Sequence, residues 1–159
     1  MTIGELNALP DAEPLLLECC GSTEWARRMA QARPFASVDA ALAAAAALWD
    51  ALPPSDWLEA FAAHPRIGDR TAGSRAAHEQ SGAMGAPADV RARLEQANRA
   101  YEARFGYIFI VRAAGRSAEE MLAIAEERLA HDPARELQVA AGEQRDIMRR
   151  RLLELLRPI

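Results

Sequence analysis

Lysine is missing from this chain of 159 residues; all 19 basic residues are arginine. Alongside the abundance of alanine, that absence reflects genomic base composition more than chemistry. With 23 acidic residues the net charge is −4, which supplies no field for gripping a phosphate backbone, so no nucleic-acid partner is expected. Cysteine is scarce: Cys19 and Cys20 are the only two, and they are adjacent. Vicinal cysteines rarely close a disulfide, and two thiols cannot complete a zinc site. Free thiols in the apolar "LLLECC" point to a reducing compartment and to packing in a core. No basic-then-apolar leader opens the chain, no apolar run approaches membrane-spanning length, and the closing "RPI" is not an address tag. The expectation is a soluble, cytoplasmic protein with no membrane partner. Cofactor fingerprints are absent too: there is no P-loop, G-x-G-x-x-G, H-E-x-x-H or nucleophile elbow.

What the chain does contain is helix signals. "DAEPLLLECC" starts with an Asp cap and an early Pro14. Ser22 or Thr23 caps "EWARRMAQA", which stops at Arg33-Pro34. Ser37 caps "VDAALAAAAALWDAL", whose alanines suit close helix approach while Leu42, Trp49 and Leu52 anchor it at helical spacing. Ser55 caps "DWLEAFAAH". Residues 68–75 read as a polar loop, and "AAHEQSGAMG" as a short helix. Pro87 opens "ADVRARLEQANRAYEARFG", with Gly106 as its stop. A capping box, Ser117 to Glu120, starts a helix reaching about to His131. Pro133 opens the last, running about to Arg157. "YIFIVRAAGRS" alone is rich in β-branched and aromatic residues, and lacks a second strand to pair with. The expected fold is all-α, a single compact domain over residues 1–159 of roughly seven or eight helices, with one short extended segment near 107–112.

Few residues are candidates for chemistry. Of three histidines, His131 in "RLAHDPARE" sits where a helix dipole would favour it. His78 and Glu79 are sequence neighbours, so on a helix their side chains diverge by about 100°. His64 in "FAAHPRIGDR" lies at a helix C-terminus. It reads as a dipole-stabilised cap, or as a ring turned out of the helix end by Pro65. Glu79-Gln80, flanked by small residues, can approach a small polar ligand or simply form a solvated helix face. Arg149-Arg150-Arg151 is either an anion site or a solvated face. A His and a Glu from separate elements, with an Arg to hold an anion, would suit acid–base catalysis on a carboxylate.

The segments "GSTEWARRM", "RPFASVDAAL", "AHPRIGDR", "HEQSGA", "NRAYEARFGYIFIVRAAGRS" and "EERLAHDPARELQVAAGEQRDIMRRRL" follow one another in an order that resembles the OHCU decarboxylases of purine catabolism (2-oxo-4-hydroxy-4-carboxy-5-ureidoimidazoline decarboxylases). The resemblance covers nearly the whole chain. It implies an all-α enzyme that converts OHCU to (S)-allantoin and carbon dioxide without metal or organic cofactor. It matches His64 to the catalytic histidine and Glu79 to the carboxylate that works with it. For substrate binding it matches Gln80 to the ring or ureido group, Phe109 and Ile110 to a pocket-lining main chain, and Arg151 to the substrate's oxygens. Pro65 would fix the backbone that aims His64. The resemblance also suggests a homodimer, with the small-molecule substrate as the other partner.

Two positions depart from the pattern. Ala76 stands where the family usually has serine, and Asp146 where it usually has a basic residue. Losing one hydrogen bond costs about 0.5–1.5 kcal/mol, which weakens binding without abolishing reaction. Two other readings stay open: a catalytically silent helical module that binds ureides or a partner enzyme, and a metal-dependent hydrolase using His64, His78 and Glu79.

Overall fold

Short polar residues start most of the helices. The computed structural model describes residues 1–67 and 85–156, and among these every regular element is a helix. They are α1 (Ile3–Ala8), α2 (Glu13–Cys19), α3 (Thr23–Ala32), α4 (Val38–Asp50), α5 (Pro54–Ala62), α6 (Ala88–Phe105), α7 (Ala118–Arg128) and α8 (Pro133–Leu155). Ser22 Oγ accepts from the Trp25 N–H at 3.1 Å and Ser37 Oγ from Ala40 at 3.0 Å. Ser117 and Glu120 form the expected capping box. Each such cap satisfies amide donors that the first helical turn cannot pair internally.

Three helix starts differ from expectation. The helix α1 was not anticipated, although Thr2 and Glu5 carry its capping-box signature. Asp11 does not cap α2; that cap is Ala12, and the Asp11 carboxylate accepts from the Glu13 N–H at 3.1 Å. The helix α5 starts at Pro54 with Pro53 in the cap position, in place of Ser55. Proline suits a first helical position because it has no N–H to leave unpaired and its φ is already helical.

The chain forms two compact units, Met1–Ala63 with Gln144–Ile159, and His64–Glu143. In the first, α3 packs against α2, α4 and α5. Trp25 and Trp49 are fully buried; the Trp25 indole donates through Nε1 to the Ala45 carbonyl at 3.1 Å, and that of Trp57 to the Trp49 carbonyl at 3.0 Å. The alanine tract behaves as its composition suggested. Ala41 and Ala45 are buried with Leu42 and Trp49, so α4 presents a face smooth enough for close approach.

In the second unit α6 packs on α7. Leu94, Ala97 and Tyr101 of α6 meet Ala118, Met121, Leu122 and Ala125 of α7, and Phe109 and Val111 close the same core. Residues 108–113 form neither helix nor strand, in keeping with the lack of a second strand in the sequence. Gly106 ends α6 at φ +84° with nothing within 4 Å of where a Cβ would sit. Only the left-handed backbone excludes other residues there, so Gly106→Ala is expected to cost about 1–2 kcal/mol in urea unfolding.

Candidate active site

The course of α5 determines how His64 is presented. Buried Trp57, Ala60 and Phe61 fasten the helix to its unit. It stops at Ala62, and the Ala63 N–H returns to the carbonyls of Ala60 and Phe61. His64 therefore lies just outside the helix, not on its last turn as the sequence suggested. Pro65 explains the shift, because its ring disfavours helical geometry in the residue before it. Both His64 and Pro65 are half-buried.

The residues that follow are held by α6. Asn98 Nδ2 donates to the Ile67 carbonyl at 3.0 Å, and Arg66 Nε donates to Glu102 Oε1 at 2.9 Å. Between these on α6, Tyr101 faces the Phe109 ring, with centroids 5.4 Å apart and planes at 63°. One helix thus braces both the stretch after His64 and the extended segment. Ile67 packs on the same core as Phe109.

Phe109 and Ile110 are each 2% exposed. The Arg128 guanidinium lies 4.8 Å from the Phe109 ring centroid and donates through Nη1 to the Ile110 carbonyl at 2.6 Å. Its other edge meets Glu136, with Nε and Nη2 at 2.9 and 2.6 Å from Oε2. The Tyr101 hydroxyl also donates to Glu136, and His131 Nδ1 lies 3.1 Å from Glu136 Oε1. Burial by itself would lower the Arg128 pKa, but its bonds to Glu136 outweigh that and the net direction is upward. Burial, reinforced by the bond to Glu136, raises the Tyr101 phenol. Both therefore remain protonated donors. His131, expected only to meet a helix dipole, joins this network.

In the first unit, Arg149 and Arg150 are exposed while Arg151 is half-buried. Arg151 lies close enough to Cys20 to act on its thiol. Burial, chiefly, pushes that thiol up to about 12, against the lowering effects of a Ser22 backbone hydrogen bond and of the Arg151 charge. Both cysteines are free and buried. A thiol-specific chromogenic reagent at pH 8 is expected to titrate neither thiol in the native protein and both after denaturation.

The proposed partners Glu79 and Gln80 lie outside the described residues, as do His78, Ala76 and the loop 68–75. Asp146 is exposed on α8. Among the described residues no three His, Cys, Asp or Glu side chains gather in a way that could hold a metal.

The family model described as OHCU decarboxylase matches residues 7–153. The chain belongs to the OHCU decarboxylase family. Among relatives, it is 38% identical over 145 residues to the uric acid degradation bifunctional protein TTL of Arabidopsis thaliana, covering 86% of this chain and 45% of that protein. It therefore spans less than half of that relative. It is 32% identical over 131 residues to the 2-oxo-4-hydroxy-4-carboxy-5-ureidoimidazoline decarboxylase of Amia calva, covering 78% of this chain and 75% of that one. A crystal structure of OHCU decarboxylase in the presence of (S)-allantoin superposes with a TM-score of 0.81 at 34% identity, covering 89% of this chain and 96% of that chain.

Against this OHCU decarboxylase fold, the residues that sequence reasoning overlooked are those that hold the site segments in place. Asn98, Tyr101, Arg128 and Glu136 are buried, and the polar residue type of Asn98, Arg128 and Glu136 by itself suggests surface. The one available signal was a polar residue at positions whose helical spacing points to the core, as with Asn98 between Leu94 and Tyr101.

Proposed function

We propose that this protein decarboxylates OHCU to (S)-allantoin, with His64 and Glu79 as its acid–base pair. The observation that carries this reading is the extent of the match: nearly the whole length of a solved OHCU decarboxylase corresponds to this chain at 34% identity. In this reading the two units serve as one family domain. A reducing cytoplasmic setting and a homodimer belong to the same reading.

The chemistry needs no electron sink beyond the substrate. In OHCU the carboxylate leaves from a carbon next to a ring C=N bond. As CO₂ departs, the C–C bonding pair forms a C=C bond and the C=N pair moves onto nitrogen, which takes up a proton. The hydroxyl then loses its proton to become C=O, while the C=C pair collects a proton on the neighbouring carbon. The enzyme's task is to hold the carboxylate out of plane, move the hydroxyl proton and supply the new proton from one face.

In this mechanism His64 exchanges the hydroxyl proton, and Pro65 keeps the imidazole clear of the helix. Glu79 orients the substrate or relays the proton, and Gln80 bonds the ring or ureido group. Main-chain groups of Phe109 and Ile110 line the pocket, with the Ile110 carbonyl held by Arg128. Arg151 pairs with the anionic oxygens, where a planar guanidinium fits better than an ammonium. Ala76 has no hydroxyl to offer where the family usually has serine.

OHCU generated in situ from urate provides the test. Adding the protein is expected to accelerate release of CO₂ beyond the spontaneous rate, in proportion to enzyme. Ligand binding with no acceleration would instead support a silent ureide-binding module.

A further inference from the structure

We propose that Gly21, in the turn between α2 and α3, is a positioning residue for His64. The proposal rests on the reading of His64 as catalytic. A Cβ built on Gly21 would stand 2.5 Å from the Ala63 Cβ, 3.7 Å from the Ala60 Cα and 3.8 Å from the Ala60 carbonyl oxygen. Gly21 is not among the residues of positive φ, so its backbone tolerates any side chain. What the position demands is space. The space it leaves is taken by the last turn of α5, and the residue after Ala63 is His64.

The same turn grips α5 a second time. The Thr23 N–H donates to Glu59 Oε1 at 2.9 Å and the Thr23 hydroxyl to Glu59 Oε2 at 2.6 Å. Ser22, fully buried, caps α3 between these two contacts. Gly21 and Thr23 thus press and tether opposite ends of residues 59–63, the end of α5 together with its cap Ala63. Cys20, on the other side of Gly21, is the residue on which the Arg151 charge acts. The segment 20–23 therefore sets the root of the proposed catalytic histidine.

A methyl group at Gly21 must move something. Trp57, Ala60 and Phe61 are locked in the core, whereas Ala63 is exposed at the end of the helix. The part that yields is the terminal turn, and His64 moves with it. A displacement on the order of 1 Å in a catalytic group can cost up to about 100-fold in rate without touching the chemistry directly.

The test compares Gly21→Ala, Ala63→Gly, the double variant and His64→Asn in OHCU decarboxylation, each well below its melting temperature. Gly21→Ala is expected to lower kcat by about 10- to 100-fold with KM changed by less than about threefold. The double variant, which removes the obstructing methyl, is expected to recover to within about threefold of Ala63→Gly alone. A purely structural role would lower the melting temperature and leave kcat per folded molecule unchanged. Should Gly21→Ala not fold, Thr23→Val releases the Glu59 tether without adding bulk, and a fall of about threefold or more in kcat is expected. Wild-type kcat in Gly21→Ala while His64→Asn is inactive overturns the positioning role and leaves the His64 reading intact. A loss in Gly21→Ala that Ala63→Gly fails to recover also overturns it. Full activity in His64→Asn removes the catalytic reading itself, and the Gly21 proposal with it.

Discussion

His64→Asn is expected to lower kcat for OHCU decarboxylation by about 10²- to 10⁴-fold, the range of a positioned general acid–base. Asparagine keeps the approximate size and hydrogen-bonding capacity of the side chain but cannot exchange a proton near neutrality. His64 lies outside α5, beyond the Ala63 cap, so the exchange leaves the helix itself unaltered. The far-ultraviolet dichroism and melting temperature should stay near those of the parent protein. Substrate affinity, measured by KM, should change far less than kcat, because Gln80 and Arg151 are assigned the binding. A variant that kept the parental rate would refute the mechanism even if the reaction itself stood.

The second large effect concerns stability. Glu136 is fully buried and receives Arg128, Tyr101 and His131. Glu136→Ala leaves the Arg128 cation without its carboxylate in an environment that is 3% exposed. Breaking one side of such a pair costs about 3–5 kcal/mol, a large share of the roughly 5–15 kcal/mol that holds a domain together. At about 2–4 °C per kcal/mol for a chain of this size, the melting temperature should fall by roughly 6–20 °C. Replacing both partners, Arg128→Met with Glu136→Leu, should be milder than Glu136→Ala, since no charge is then stranded. It should not be neutral, because the Ile110 carbonyl loses its donor, at about 1–3 kcal/mol for a buried unpaired acceptor. A double variant less stable than Glu136→Ala would contradict this view of the pair.

The helices were largely legible because their signals are local. Ser22, Ser37 and Ser117 cap where a short hydroxyl precedes an apolar period, and Gly106 stops α6 where a left-handed residue is needed. The extended segment was legible for the opposite reason: β-branched and aromatic residues stood alone, with no second strand to join. The misplacements at Asp11 and Ser55 arose where two starting signals competed and a proline or neighbouring backbone decided between them. What remained hidden is long-range. Nothing in "RLAHDPARE" announces that Arg128 reaches back 18 positions to the Ile110 carbonyl. Gly21 likewise looks like an ordinary turn glycine until α5 is seen against it. His64 and Arg151 were picked out through family resemblance, and the local pattern by itself left each with a bland reading. Glu79 and Gln80 fall outside the described residues, so their assignment still rests on that resemblance.

Handedness of the product tests the central claim most directly. OHCU decays spontaneously to allantoin without a preferred hand, whereas proton delivery from a fixed His64–Glu79 site must favour one. Circular dichroism of allantoin formed from in situ OHCU should develop the (S) signal in step with added enzyme, and His64→Asn should leave the product racemic. Optically inactive allantoin formed at the uncatalysed rate in the presence of the native protein would contradict the account.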